Sequence, residues 1–138
     1  MKHIPLLLLV VIVSRTQATR FEASGSLRCN LPGQTWCFQL YLYEFDLIMD
    51  DLLGKTGTQC TTGKLGKYYL AGNDDGDGLW DDQYEVGMKA RHNCSKHGEL
   101  LDLWSNEHLY PIHRKFIDIM WSPKLTDRGI PVFILGKD

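Results

Sequence analysis

Three stretches of this chain alternate so regularly between apolar and polar residues that they limit what it can fold into. In FEASGSLRC, Phe21, Ala23, Leu27 and Cys29 share one side, and Glu22, Ser24, Ser26 and Arg28 the other. In WCFQLYLYE, Trp36, Phe38, Leu40 and Leu42 face one way, with Cys37, Gln39, Tyr41 and Tyr43 opposite. In YEVGMKARHNC, Tyr84, Val86, Met88, Ala90, His92 and Cys94 oppose Glu85, Lys89, Arg91 and Asn93. A period of two belongs to an extended strand with one buried face. Less regular candidates are Lys55 to Thr61, Gly66 to Ala71, KFIDIMW and PVFIL, divided by clusters of Gly, Pro, Asn and Asp. One segment, HGELLDLWSNEHL, sets Leu100, Leu101, Leu103 and Trp104 at helical spacing, which predicts a short helix between two strands. Six or seven strands and one brief helix predict an all-β sandwich whose inner faces supply the core.

The same alternation bears on the four cysteines. Cys29 and Cys94 each lie on the apolar side of their strand, so a bond between them would cross the core. Cys37 lies on a polar side. If its strand and Lys55 to Thr61 form a hairpin closed by residues 45–53, position 37 falls opposite 60 or 61. We therefore expect Cys29 with Cys94 and Cys37 with Cys60, as an even number of cysteines in a small exported domain suggests.

Residues 1–18 read as a leader outside the fold. Lys2 opens it, Ile4 to Val13 is apolar except for Pro5, and Thr16-Gln17-Ala18 offers small residues around a cleavage point. The apolar run is roughly ten residues, against about 20 for a membrane-spanning helix, so a secretory signal peptide is expected and no transmembrane segment. Residues 19–138 would then form one domain in the extracellular space. The formal charge of the whole chain is −2. Losing Lys2 and Arg15 makes it more acidic, and no basic face calls for nucleic acid.

With strands and cysteines placed, the chain resembles the transthyretin-like family of secreted nematode proteins. The likeness rests on GSLRCN with its cysteine, LYLYEFD leading into DDLLGKT, GKYYLAG, HNC closing a long strand, and RKF opening the next. Their order and spacing, from Gly25 to Phe116, carry it. The resemblance implies a prealbumin-like β-sandwich of two four-stranded sheets, so about seven to eight strands with one short helix are expected. A short helix after the HNC strand is where the transthyretin fold would place one, although Lys96 to Pro111 is longer than the family's usual connection. Cys37 and Cys60 fall outside the family pattern, and their pairing rests on the strand argument alone.

Several groups of residues invite a functional reading. NDDGDGLWDD places Asn73, Asp75 and Asp77 at positions 1, 3 and 5 of a calcium loop, Gly78 at 6 and Asp81 at 9. Position 12, however, is Tyr84 instead of the closing Glu. The loop therefore reads as a strand connection rich in turn residues, with calcium as the alternative. His92, His97, His108 and His113 form no recognised ligand motif, and His92 faces inward, as a hydrogen-bonded core residue does. No metal and no cofactor are expected. Asn93-Cys94-Ser95 matches the glycosylation sequon, with Asn93 pointing outward, though a disulfide at Cys94 competes with glycan transfer. Tyr41 and Tyr43 on one strand and Lys89 and Arg91 on another would share an exposed patch if the strands are neighbours, and Tyr and Arg are enriched at interfaces.

The expectation is a secreted, non-enzymatic binding or signalling module that recognises an extracellular protein, a cell-surface component or a small apolar ligand. A homo-oligomer built through edge strands is compatible with it. Enzymes related to transthyretin that hydrolyse 5-hydroxyisourate end in Tyr-Arg-Gly-Ser, whereas this chain ends VFILGKD. A hydrolase using His92 or His113 is one alternative, and a calcium-dependent adhesive module using Asp75, Asp77 and Asp81 another.

Overall fold

The computed structural model describes residues 18–74 and 82–133. Residues 1–17 of the expected leader and Asp75, Asp77 and Asp81 of the acidic loop lie outside the described residues. What is described is all-β, in ten strands. A three-stranded sheet has β1 (Thr19–Arg28) at its centre, antiparallel to β5 (Leu65–Asp74) and parallel to β9 (Phe116–Met120). A seven-stranded sheet is built on the antiparallel pair β2 (Trp36–Glu44) and β6 (Gln83–His92).

Each central strand of the large sheet is flanked by an interrupted neighbour. β3 (Asp51–Lys55) and β4 (Gln59–Thr61) share the free side of β2. β7 (Leu101–Trp104) and β8 (His108–Pro111) share the free side of β6, and β10 (Ile130–Pro131) closes beyond β7. At each interruption a hydroxyl completes the ladder. The Leu40 amide donates to Thr56 Oγ1 at 3.0 Å and the Met88 amide to Ser105 Oγ at 2.8 Å. In return the Thr56 and Ser105 amides donate to the Leu40 and Met88 carbonyls. A central amide left bare in a core costs about 1–3 kcal/mol, and a small hydroxyl avoids that where the strand breaks.

The alternating faces fall inward as the sequence predicts. Phe21, Ala23 and Leu27 of the small sheet meet Trp36, Phe38, Leu40, Leu42, Tyr84, Val86, Met88 and Ala90 of the large one in one buried cluster. Phe21 and Tyr84 make an edge-to-face pair across the layers, with centroids 5.2 Å apart. Along one side the sheets approach backbone to backbone, and a Cβ at Gly72 would collide with the Leu53 carbonyl. The disulfides join Cys29 to Cys94, from one layer to the other, and Cys37 to Cys60, directly opposite each other in β2 and β4.

Two expectations are corrected. The segment HGELLDLWSNEHL holds no helix: it supplies β7 and the start of β8. Its leucines satisfy both periods locally, but β6 would otherwise leave an open row of amides and carbonyls. Pairing along that edge puts Leu101 inward and Asp102 outward. The sheets are also unequal, three strands against seven, in place of two fours.

Candidate functional site: an aromatic and ionic face on the large sheet

β2 and β6 are neighbours in register, with Tyr41 opposite Lys89 and Gln39 opposite Arg91. Tyr41, Tyr43, Lys89 and Arg91 therefore stand together on the outward face. β7 continues the rows, setting Trp104 opposite Lys89 and Asp102 opposite Arg91. Tyr43 faces Gly87 across the ladder, and the Phe45 ring lies over that glycine, where a Cβ would collide with it. Tyr41 and Tyr43 stack with centroids 6.2 Å apart, while Trp104 packs at a tilt against Tyr43 at 5.5 Å and Phe45 at 6.0 Å.

The lysine is folded into these rings. Lys89 Nζ lies 4.3 Å from the Tyr41 ring centroid, 5.4 Å from that of Tyr43 and 5.3 Å from that of Trp104. It donates to Tyr43 Oη at 3.3 Å and lies 3.9 Å from Asp102 Oδ2. Ring quadrupoles and a carboxylate replace the water it gives up, so it is only 8% exposed. Arg91 grips Asp102 with two bonds of 2.8 Å, Nε to Oδ1 and Nη2 to Oδ2. That hydrogen-bonded pair raises the Arg91 pKa further, so the guanidinium stays charged. The ensemble is a continuous aromatic and ionic plate on paired strands, with Trp104 exposed at its rim.

Sequence reasoning missed Phe45, Asp102 and Trp104. For the last two a signal existed, since Leu101 and Leu103 alternate with Asp102 and Trp104.

The other candidates are placed as follows. His92 is fully buried; its Nδ1 accepts the Cys94 amide at 3.1 Å and its Nε2 donates to the Arg128 carbonyl at 2.9 Å. Burial lowers its pKa, so the ring is neutral and both nitrogens are engaged. His97, His108 and His113 are exposed on separate turns and strands, and no histidine belongs to a three-donor cluster among the described residues. Asn93 Oδ1 accepts the Cys37 amide at 2.8 Å, so a glycan would extend from Nδ2. Asn73 is exposed on β5 opposite Arg20, and Tyr84 is buried in the core.

A carboxylate group that sequence reasoning did not assemble lies at the end of β2. Oxygens of Glu44, Asp46 and Asp51 fall within 4.8 Å of one another. Glu44 is buried, accepts the Glu85 amide at 3.4 Å, and has its pKa pushed up to about 7, first by desolvation and then by Asp46 and its neighbours.

Residues 24–121 match the family described as "Caenorhabditis elegans protein of unknown function (DUF870)". The chain belongs to this family. A curated relative, "Uncharacterized protein B0416.7" of Caenorhabditis elegans, is 30% identical over 80 residues, which cover 58% of this chain and 59% of the relative. The chain thus spans about three-fifths of that relative's length. Among solved structures, an alternative pilotin from the type II secretion system of Vibrio cholerae aligns with 76% of this chain and 96% of its own, at 17% identity and a TM-score of 0.42. A 9R-lipoxygenase from Cyanothece PCC8801 aligns with 83% of this chain and 17% of its own, at 16% identity and a TM-score of 0.36. The family match spans β2 to β9 and the latter part of β1, and so contains the whole outward aromatic face.

Proposed function

We propose that this family member is a secreted, non-enzymatic recognition module, a transthyretin-like β-sandwich variant, that binds an extracellular protein or cell-surface component through the outer face of its large sheet. The observation that carries the reading is the convergence of Tyr41, Tyr43, Phe45 and Trp104 with the Lys89 and Arg91–Asp102 charges on rigid, hydrogen-bonded strands. Trp, Tyr and Arg dominate binding hot spots; the aromatics cover much area with two torsions to freeze, and Arg91 is already held by Asp102. Two disulfides suit an oxidising, extracellular compartment. The order of GSLRCN, LYLYEFD, GKYYLAG and HNC along two packed sheets supports the transthyretin-like assignment. A buried, doubly bonded His92 is poorly set up as a general base, which favours recognition over hydrolysis.

The test is saturable binding of labelled, disulfide-intact protein to nematode tissue, competed by unlabelled protein. Trp104→Ala and Tyr43→Ala should each compete about tenfold or more weakly, as expected for hot-spot truncations, while Lys115→Ala competes like wild type. Full competition by both aromatic variants would overturn the proposal. So would turnover of 5-hydroxyisourate that vanishes in His113→Ala.

A further inference from the structure

The outer face of the small sheet carries a different surface. Arg28 ends β1. Leu65 of β5 stands opposite it on one side, and Lys124 lies beside it on the other through a parallel bridge. The Arg28 amide donates to the Pro123 carbonyl at 3.1 Å, its carbonyl accepts the Leu125 amide at 2.8 Å, and the Lys64 carbonyl accepts the Cys29 amide at 2.9 Å. Three cations are thus fixed on adjacent backbones next to the Cys29–Cys94 bond. Neighbouring strands lie about 4.8 Å apart, so the row crosses the sheet over roughly 10 Å.

Two surface grooves, of about 400 Å³ and about 320 Å³, meet here and share Arg28 and Leu65. Ser26, Ser122 and Lys124 line one; Asn30 and Lys64 line the other. No carboxylate is among these residues. Among the described residues, none of Arg28, Lys64 and Lys124 has an ion-pair partner, in contrast to Arg20, Lys89, Arg91 and Lys96. Ser122 Oγ accepts the Ser26 amide at 3.0 Å, which leaves its hydrogen to donate.

We propose that this joined groove binds a linear sulfated polysaccharide, with Arg28, Lys64 and Lys124 taking sulfates and the Ser122 and Asn30 side chains taking sugar hydroxyls. Two open grooves that share Arg28 and Leu65 admit an extended chain, whereas a small free anion would call for an enclosed pocket. Nucleic acid fits less well, because single strands are held by stacking on aromatic faces and this lining has none. An acidic peptide adding itself as a strand needs a free sheet edge, and Arg28 is flanked on both sides. Anionic lipid is concentrated in the cytoplasmic leaflet, away from a disulfide-bonded exported domain. The site faces away from the aromatic plate, so one molecule can hold a polysaccharide and a second partner together.

The test is calorimetric titration of the intact protein with a size-defined heparin oligosaccharide at physiological salt. Wild type should bind, with affinity falling steeply as salt rises, because each neutralised sulfate releases counterions. Arg28→Ser/Lys64→Ser/Lys124→Ser should bind about tenfold or more weakly. Arg114→Ser/Lys115→Ser, which removes charge elsewhere, should stay within about twofold, as should the charge-preserving Lys64→Arg/Lys124→Arg. If the triple variant fails to fold, single Lys64→Ser and Lys124→Ser should each weaken binding about two- to fourfold. Trp104→Ala should leave this affinity unchanged even if the aromatic face proves inert. The proposal is overturned if the groove variants bind like wild type, or if the Arg114/Lys115 control weakens binding as much as they do. It also fails if the desulfated oligosaccharide binds equally well, or if a charge-matched oligonucleotide or phosphatidylserine vesicles bind more tightly.

Discussion

The two ends of the molecule solve opposite electrostatic problems. At one end both disulfides, the neutral His92 and the Arg28–Lys124 row lie together. At the other end Glu44 is buried beside Asp46 and Asp51, with Asp74 adding to the same negative potential. Covalent links tie the first end together, and these cross-links do not depend on protonation. The second end has packing and strand hydrogen bonds, but no covalent link, to set against like-charge repulsion, so its stability follows proton concentration. The cations of the basic end stand outside the core, in water, whereas Glu44 is desolvated.

The largest effect should come from unlinking the first end. Replacing Cys29 and Cys94, which are 65 residues apart, with serine should lower stability by about 4 kcal/mol, from the loop-closure entropy returned to the unfolded chain. Replacing Cys37 and Cys60, 23 apart, should cost about 3 kcal/mol. Urea unfolding of both variants measures this. If the shorter loop matters more, the two-layer clamp is not the dominant constraint and the contrast between the ends weakens.

How far this contrast could be read in the sequence differs residue by residue. The alternating faces of β1, β2 and β6 are local properties, and they place the core, the cysteines on their faces, and the Tyr41, Tyr43, Lys89 and Arg91 group. Glu44 was legible too, because it continues the inward series Trp36, Phe38, Leu40, Leu42 by one more step. Its partners Asp46 and Asp51 were not, since only the fold back into β3 brings them close. Asp102 and Trp104 were hidden because Leu100, Leu101, Leu103 and Trp104 fit a helix locally. The open edge of β6, a long-range fact, decides against it. The basic row likewise joins residues 28, 64 and 124 from three separate segments, and no window of sequence contains it.

Glu44 should give the next largest effect. Its folded pKa is raised to about 7, well above its ordinary value near 4.5. The folded state therefore binds the proton more tightly than the unfolded one between those values. The stabilisation is complete below about pH 4.5 and is lost as pH rises through about 7. Glu44→Gln keeps an acceptor for the Glu85 amide and removes the charge. It should raise stability by about 2 kcal/mol at pH 8 and change little at pH 5. Equal gains at both pH values would show that shape, and not charge, limits this end.

His92 should give the smallest response, with the opposite sign. Desolvation lowers its folded pKa below the unfolded value of about 6.5, so the unfolded chain takes up the proton first. Stability from the neutral ring is complete above about pH 6.5 and is lost as pH falls toward the folded pKa, at no more than about 1.4 kcal/mol per pH unit. In wild type this loss is masked, because Glu44 gains stability over the same interval. In Glu44→Gln the mask is gone, and thermal midpoints should fall steadily from pH 6.5 to pH 5. Adding His92→Asn, which offers both an acceptor and a donor at reduced size, should flatten that slope while lowering the midpoint throughout. A slope that persists without the imidazole would mean that the acid sensitivity arises at the carboxylate end, and that the disulfide end does not titrate in this range.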